Sequence, residues 1–206
     1  MSQFTQDPRR FRTSLERLRP WFKTRTGVLL HARLMQPTDA PMMVDFYYRV
    51  SPETLYRRFH TSIDSLPMDV VVEAVAKMAI VDNLAVSGAV VALLPPEKGR
   101  QPDRRQQEQL IGVARLARDP LRPDSPDAEA AIVVRDDFQG MGVGQELVRR
   151  MVLLAYKMNV KLIVAIFQHE NEGAIRLFRE LGLPYTLENH HGETTMRITV
   201  PKKPDA

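Results

Sequence analysis

The chain has 206 residues, of which 44% are apolar and 26% charged, with a net charge of +4 and no cysteine. This composition fits one globular cytoplasmic domain, excludes disulfide and thiol chemistry, and leaves no run near the roughly 20 apolar residues of a membrane span. The modest positive charge suits a polyphosphate ligand as well as it suits nucleic acid.

Residues 1–25 form a basic arm with seven Lys and Arg residues. Apolar residues at helical spacing predict an amphipathic helix within Pro8–Phe22. Such an arm either docks on an acidic partner or nucleic acid, or lies on the domain with its arginines in water. We favour the second interpretation, and we expect the domain proper at residues 26–200 and a frayed tail at residues 201–206.

The next segment predicts a strand followed by helices. Gly27–Met35 alternates in hydrophobicity like a strand, and residues 37–41 combine polar caps with an early proline, as at a helix start. Ser51 as N-cap and Pro52 at the first helical position predict a second helix. Apolar spacing over residues 68–75 predicts a third.

The middle of the chain predicts further strands separated by loops. Ala79–Leu94 is typical of two strand segments or one long bent strand. Pro95–Gln107 is polar and charged, which predicts an exposed loop and a candidate for substrate selection. Leu110–Leu116 predicts a strand, and the three prolines of residues 119–126 predict a second loop.

A strand–helix–strand unit follows. Glu129–Val134 and Val160–Phe167 are apolar strands around the amphipathic helix Val143–Lys157, a length that predicts a right-handed parallel crossover. Because Leu162–Phe167 is apolar without a break, we expect its strand to be covered on both faces.

The last segment predicts one helix and a hairpin. Asn171 is placed to cap the helix and Gly182 to end it. Tyr185–Glu188 and Thr194–Val200 predict a closing hairpin around His191-Gly192.

The turn Gln139–Gly144 lies between a strand and the start of a helix, and its glycines alternate. Backbone N–H groups converge there without Cβ atoms, at the positive end of the helix dipole, so the pattern predicts a phosphate cradle. The spacing does not fit the dinucleotide-binding fingerprint, and no Gly-Lys-Ser/Thr of a P-loop is present.

The pattern Q-x-x-G-x-G resembles the GCN5-related N-acetyltransferase (GNAT) family. Ile132 to Gly144 resembles its motif A, and Asn171 to Gly182 resembles its motif B. Val50 to Phe59 more narrowly resembles the acetyltransferase domain of bacterial protein-lysine acetyltransferases. The resemblance implies an α/β (α+β) fold: a mixed central sheet of about six to seven strands, flanked by helices, with a splayed parallel strand pair.

The resemblance also implies acetyl-CoA (coenzyme A) as co-substrate. Pantetheine would lie in the gap of the splay, and the glycine turn would hold the pyrophosphate. The cofactor-binding residues implied are Ile132, Val133, Val134, Gln139, Gly140, Met141, Gly142, Val143, Gly144 and Asn171. For Asn171, a plain helix cap is the alternative.

Acetyl transfer to an amine needs a base for the alkylammonium and a polarised thioester carbonyl, which backbone N–H groups near the splay can supply. The resemblance implies Glu129 as the catalytic base, with a solvated strand-end carboxylate as the alternative. Many family members carry a tyrosine proton donor where this chain has Phe178. The five histidines lack zinc spacing, so we expect no metal site.

The leading hypothesis is an acyl-CoA-dependent N-acetyltransferase acting on a primary amine, either a protein lysine or a small amine. The alternative is a catalytically silent GNAT-fold module that binds acyl-CoA to regulate or scaffold. A third hypothesis, nucleic-acid binding through the arm, predicts salt-dependent affinity that is lost without residues 1–25. We expect neither nucleic acid nor a membrane as partner, and a homodimer is left open.

Overall fold

The computed structural model describes residues 19–59, 67–96 and 108–201, and these contain one mixed sheet. Its strands are β1 (Trp21–Lys23), β2 (Leu29–Leu34), β3 (Ser87–Leu94), β4 (Gln109–Ala117), β5 (Asp127–Val134), β6 (Leu162–Gln168), β7 (Tyr185–His190) and β8 (Glu193–Thr199). Their spatial order is β1-β2-β3-β4-β5-β6-β8-β7. Every neighbouring pair is antiparallel except β5–β6, which is parallel.

The described residues also form helices α1 (Ala40–Tyr48), α2 (Pro52–Phe59), α3 (Met68–Lys77), α4 (Val143–Lys157) and α5 (Glu172–Arg179). A 3-10 turn, Pro37–Asp39, leads into α1. Buried Asp39 accepts hydrogen bonds from the Arg33 guanidinium at 2.7 and 2.8 Å, which fixes this turn against β2. The Thr54 N–H donates to Ser51 Oγ at 3.2 Å, so the predicted N-cap of α2 is confirmed.

The helices cover the sheet from both sides and create two cores. On one face α4 and α5 bury the larger core, which includes Leu147, Met151 and Phe178. On the other face α1 and α3 bury a smaller core around Met43 and Val75. Consecutive residues of β5 point to opposite faces, so Ala130 belongs to the first core and Val133 to the second.

The parallel pair β5–β6 separates along its length. Its register runs from Asp127↔Leu162 to Ala130↔Ala165 and stops there. Beyond that point β5 remains paired with β4 as far as Val134, and β6 remains paired with β8 as far as Gln168. The strands therefore splay apart at their carboxyl ends, which confirms the predicted mixed α/β fold with a splayed parallel pair.

The sheet has eight strands in the described part of the chain rather than six or seven. The additional strand, β1, comes from the basic arm, where Phe22 pairs with Leu30. The prediction of a helix reaching Phe22 is therefore wrong at its end, and residues 8–18 of that predicted helix lie outside the described residues. Most of the predicted loop Pro95–Gln107 and most of the tail lie outside them too.

Residues 79–86 are a loop, so the prediction of a strand from Ala79 is wrong over this part. The Asp82 carboxylate accepts hydrogen bonds from four backbone N–H groups, those of Leu84, Ala85, Val86 and Ser87. Burial alone would raise the pKa of Asp82, but these bonds outweigh it and lower the pKa to about 2. Of the apolar residues in this segment Ala79 and Val81 are buried, whereas Ile80 and Leu84 are exposed.

The last two strand predictions differ in outcome. β6 alternates between buried residues such as Ile163 and half-exposed ones such as Ile166, which is 38% exposed, so the expectation that both faces are covered is wrong. The closing hairpin is confirmed: His191 and Gly192 both have positive φ, at 48° and 85°, as a tight two-residue turn requires. No helix in residues 19–59, 67–96 or 108–201 combines the length and hydrophobicity of a membrane span.

Candidate active site

The glycine turn joins the splayed end of β5 to α4. A 3-10 turn, Asp136–Phe138, follows β5, and the chain then passes through Gly140 at φ 72° and Gly142 at φ 87°. L-residues with a Cβ avoid this region, so both positions require glycine. Gly142 is the N-cap of α4, and the first N–H groups of that helix have no acceptor within it. These donors and the helix dipole make the turn attractive to an anion.

The third position of the motif is glycine for a different reason. Gly144 lies inside the first turn of α4, where an added Cβ would come within 3.2 Å of Leu177 Cδ2 on α5. Its small size therefore allows α4 and α5 to pack closely, rather than shaping the backbone of the turn.

A cleft of about 450 Å³ opens where β5 and β6 separate. Eight of the predicted cofactor-binding residues line it: Ile132, Val133, Val134, Gln139, Gly140, Gly142, Gly144 and Asn171. Met141 and Val143 are not on its wall. Val143 is 1% exposed and belongs to the core, and Met141 uses its carbonyl to accept the Arg25 N–H at 2.9 Å.

The cleft is positively charged because of residues that the sequence analysis did not name as site residues. Arginines from three separate segments line it, namely Arg25, Arg57, Arg58 and Arg176, and Glu180 is the one acid among the described lining residues. Gln145 donates a hydrogen bond to Glu180, which holds that carboxylate beside α4. This charge suits a ligand with several phosphates.

Arg25 connects the N-terminal segment to the glycine turn. Its guanidinium donates to the Gly140 carbonyl at 3.3 Å and to Gln145 Oε1 at 2.9 Å, and both contacts are exposed. A guanidinium has five N–H groups, so donors remain for an anion in the cleft. The one sequence signal for this residue was its membership of a basic arm.

Gln139, which carries the family signature, uses its amide to hold the turn together. Its Nε2 donates to the Val134 carbonyl at 3.0 Å and to Thr54 Oγ1 at 3.1 Å. The side chain therefore connects the end of β5, the glycine turn and α2. Its presence on the cleft wall follows from this bridging position.

Asp136 reinforces the same junction. Its carboxylate accepts hydrogen bonds from the Ser51 N–H at 2.8 Å, the Ser51 hydroxyl at 2.7 Å and the Thr54 hydroxyl at 2.7 Å. Partial burial opposes ionisation of Asp136, but these bonds prevail and lower its pKa. Together they attach the N-terminus of α2 to the carboxyl end of β5, and α2 places Arg57 and Arg58 over the cleft.

Asn171 caps α5 as predicted, since its Oδ1 accepts the Ala174 N–H at 3.1 Å. It also lines the cleft and an adjoining chamber of about 260 Å³ that continues to Glu129. Asn171 can therefore cap the helix and also contact a ligand in the cleft.

Glu129 lies on the wall of that chamber with an exposed side chain. It pairs with Ala117 on β4 and with Val164 on β6, directly before the splay. Its charge acts on half-buried Arg58: burial lowers the pKa of Arg58, and the Glu129 carboxylate partly offsets this. The position allows contact with a ligand that enters from the α1–α3 face.

Phe178 is 2% exposed and packs against Phe167, with 5.3 Å between the ring centroids. It borders the same chamber from the α5 side. A phenyl ring cannot donate a proton, so this position is apolar where many family members have a hydroxyl. No cluster of potential metal ligands occurs in the described part of the chain.

The structure has the features of the GNAT fold. These are a mixed sheet with one splayed parallel pair, a glycine turn at a helix N-terminus, and a positively charged cleft where the pair separates. Residues 94–183 match the model of the acetyltransferase (GNAT) family. The resemblance found in the sequence is confirmed.

Solved structures share this fold. The GNAT domain of S. lividans PAT matches with a TM-score of 0.69 and 22% identity, over 87% of this chain and 95% of that one. The protein yncA from Salmonella typhimurium, with its cofactor acetyl-CoA, matches with a TM-score of 0.57 and 18% identity, over 86% and 98%. Spermidine N-acetyltransferase from Vibrio cholerae, in complex with CoA and spermine, matches with a TM-score of 0.56 and 19% identity, over 83% and 95%.

Proposed function

We propose that the protein is an acyl-CoA-dependent N-acetyltransferase that moves the acetyl group of acetyl-CoA to a primary amine, either a protein lysine or a small amine. The observation that carries this proposal is the continuity of the positively charged cleft with the chamber at Glu129, through the gap of the splay. A polyphosphate-tailed donor and an amine acceptor can meet there from opposite faces of the sheet.

The residues present fit coenzyme A. The N–H groups at the start of α4, with Arg25 and Arg176, would hold the pyrophosphate. The edge of β5 at Ile132–Val134, which has no strand partner on the β6 side, would hold the pantetheine amides by strand-like pairing.

Acetyl-CoA supplies an activated thioester, and the protein must deprotonate the amine and polarise the thioester carbonyl. An alkylammonium has a pKa near 10.4 and must lose a proton before it can attack. The Glu129 carboxylate would accept that proton, directly or through one water. Unpaired backbone N–H groups at the splay would polarise the carbonyl. Because residue 178 is phenylalanine, the departing thiolate would take its proton from solvent.

A silent acyl-CoA-binding module is the second candidate, and one observation favours it. Phe178 is apolar and tightly packed, and Glu129 is an exposed carboxylate, so neither is a specialised acid or base in its present surroundings. The two candidates share the cleft and differ in whether bound acetyl-CoA is turned over.

Calorimetric titration with CoA, followed by thiol release from acetyl-CoA with a panel of primary amines, tests both. We expect binding, and turnover that falls about 10²- to 10⁴-fold in kcat/KM near neutral pH in Glu129→Gln, with CoA affinity retained. Asp124→Asn, an exposed carboxylate in the loop before β5, is the matched control and should act like wild type. Binding without turnover for any amine would favour the module, and no CoA binding by folded protein would reject both.

A further inference from the structure

The α1–α3 face of the sheet carries two more chambers next to Glu129, and the same two arginines line both. One is apolar, about 40 Å³, with walls that include Met35, Phe46 and Met78. The other is polar, about 460 Å³, with walls that include Glu129. Arg58 and Arg115 belong to both walls, so their side chains lie at the border between the chambers.

We propose that Arg58 and Arg115 form a binding subsite for a carboxylate on one of the two reactants, beside the amine position at Glu129. This inference rests on the proposed acetyltransferase function and specifies its substrate class. The carboxylate belongs either to the amine acceptor, as in an amino acid, or to the far end of a dicarboxylic acyl group on CoA.

The strand register places Arg115 on the same side of the sheet as Glu129. Arg115 pairs with Ala131 and Ala117 pairs with Glu129 across β4 and β5, so all four residues share one face. Arg115 is half-buried, and its Nη1 donates to the Met78 carbonyl at 2.9 Å. That bond fixes the guanidinium and uses one of its five donors.

Arg58 reaches the same border from α2. It lies beside the Phe59 ring, with 4.9 Å from Cζ to the ring centroid. Burial lowers the pKa of Arg58, Glu129 opposes this, and Arg115 adds to it, so the three charges act on one another. Burial also lowers the pKa of Arg115. Two partly desolvated cations side by side destabilise the empty site, and an anion between them would relieve this.

The other two arginines of the polar chamber, Arg118 and Arg122, are already paired, and its acids besides Glu129 are Asp119 and Asp127. Buried Arg118 donates to the carbonyls of Ser125 and Met158 at 2.6 Å and to that of Ala85. Arg122 forms an ion pair with Asp119 at 3.2 Å. Within residues 19–59, 67–96 and 108–201, no carboxylate lies within ion-pair distance of Arg58 or Arg115.

Size and charge restrict the ligand. A chamber of about 460 Å³ is in the range of small-molecule sites, which are roughly 300–1,000 Å³. An amine at Glu129 and a carboxylate at the arginines would bind one zwitterionic molecule at both ends. A polyamine would instead place a second cation against Arg58 and Arg115, which like-charge repulsion disfavours.

Two matched pairs of probes separate the sources of the carboxylate. For the acceptor, 6-aminohexanoate is compared with 6-aminohexanamide, by calorimetric titration of CoA-saturated and CoA-free protein and by turnover. For the donor, succinyl-CoA is compared with butyryl-CoA by the same titration. We expect at least one pair to show tenfold or stronger binding of the carboxylate form.

Arg115→Gln should remove that preference and Arg115→Lys should retain part of it, while affinity for CoA itself stays unchanged in both. Arg149→Gln, which changes an exposed arginine of α4 that lines neither chamber, is the control and should keep the preference. Equal binding within both pairs, or an unchanged preference in folded Arg115→Gln, would overturn the proposal. Loss of CoA binding alone, with Arg115-dependent binding of 6-aminohexanoate retained, would reject the acetyltransferase function and leave the subsite standing.

Discussion

Arg25 is the residue through which the N-terminal segment reaches the ligand cleft. Arg25→Gln keeps the backbone hydrogen bond to Met141, so the glycine turn should stay in place, but it removes a cation beside the phosphate position. Because charge-assisted hydrogen bonds to phosphate are strong, we expect affinity for CoA to fall about 5- to 30-fold, measured by calorimetry. The loss should shrink at high salt.

Arg122→Gln serves as the comparison, because Arg122 is exposed and paired with Asp119 away from the cleft. An unchanged CoA affinity in Arg25→Gln, or an equal loss in Arg122→Gln, would show that Arg25 has no direct role in binding.

Single residues differ in how far their roles could be predicted. The glycines and Gln139 stand in one short motif whose spacing carries information, so their location at the cleft was predictable. Arg25 and Arg58 come from segments more than 70 residues before the turn. Arg25 has no local pattern around it, and the phrase Val50–Phe59 that contains Arg58 did not indicate which of its residues reaches the cleft. Even for Gln139 the motif gave the place, whereas its bonds to Val134 and Thr54 required the fold.

Asp136 connects two elements, α2 and the end of β5. In Asp136→Asn the charge that strengthens three hydrogen bonds is lost. The group is exposed and screened, so we expect the free energy of unfolding near neutral pH to fall by only about 1 kcal/mol, measured by urea denaturation. Since α2 carries Arg57 and Arg58, the Michaelis constant for the amine acceptor should also rise.

The effect of Asp136 has a defined pH dependence. Its folded-state pKa is lower than the ordinary 3.8, so the wild-type stabilisation is present above pH 3.8 and is lost as pH falls through the lowered pKa. The stability difference between wild type and Asp136→Asn should therefore shrink in acid. Asp45→Asn, which breaks an exposed pair with Arg49, should change stability little at any pH. A difference that persists unchanged in acid would contradict this account.

Helices and strands were predictable where one hydrophobic periodicity extends over a whole segment. Helix α4 begins and ends where its apolar spacing predicted, because its fifteen residues repeat one pattern and their single glycine, Gly144, lies in the first turn. The strand predicted before β3 was wrong because Ala79 and Val81 are buried without being in a strand, while Asp82 supplies the acceptor that the backbone of the segment needs. β1 is three residues long and depends on β2 for its hydrogen bonds, so no local signal could indicate it.

At the scale of the whole molecule, the two faces of the sheet carry different parts of the candidate site. The α4–α5 face is built on the larger core and supports the positively charged cleft, whereas the α1–α3 face carries the chambers that contain Arg58 and Arg115. The crossover pattern of the sequence predicted the parallel strand pair and its helix on the first face, and the resemblance to the GNAT family implied the splay. The second face is assembled from helices whose spacing is ordinary, so its charge pattern, on which the proposed carboxylate subsite rests, could be found only in three dimensions.

The early end of the β5–β6 ladder should leave a trace in solvent deuterium exchange. In a strand, successive amides point to opposite neighbours, so along Ala131–Val134 every second amide faces β4 and is bonded, while the others face the gap. In the free protein we expect slow and fast exchange to alternate residue by residue over this stretch, resolved by NMR. Saturation with CoA should slow the fast members selectively. Uniform exchange rates over this stretch in the free protein would mean that the two strands do not part as described.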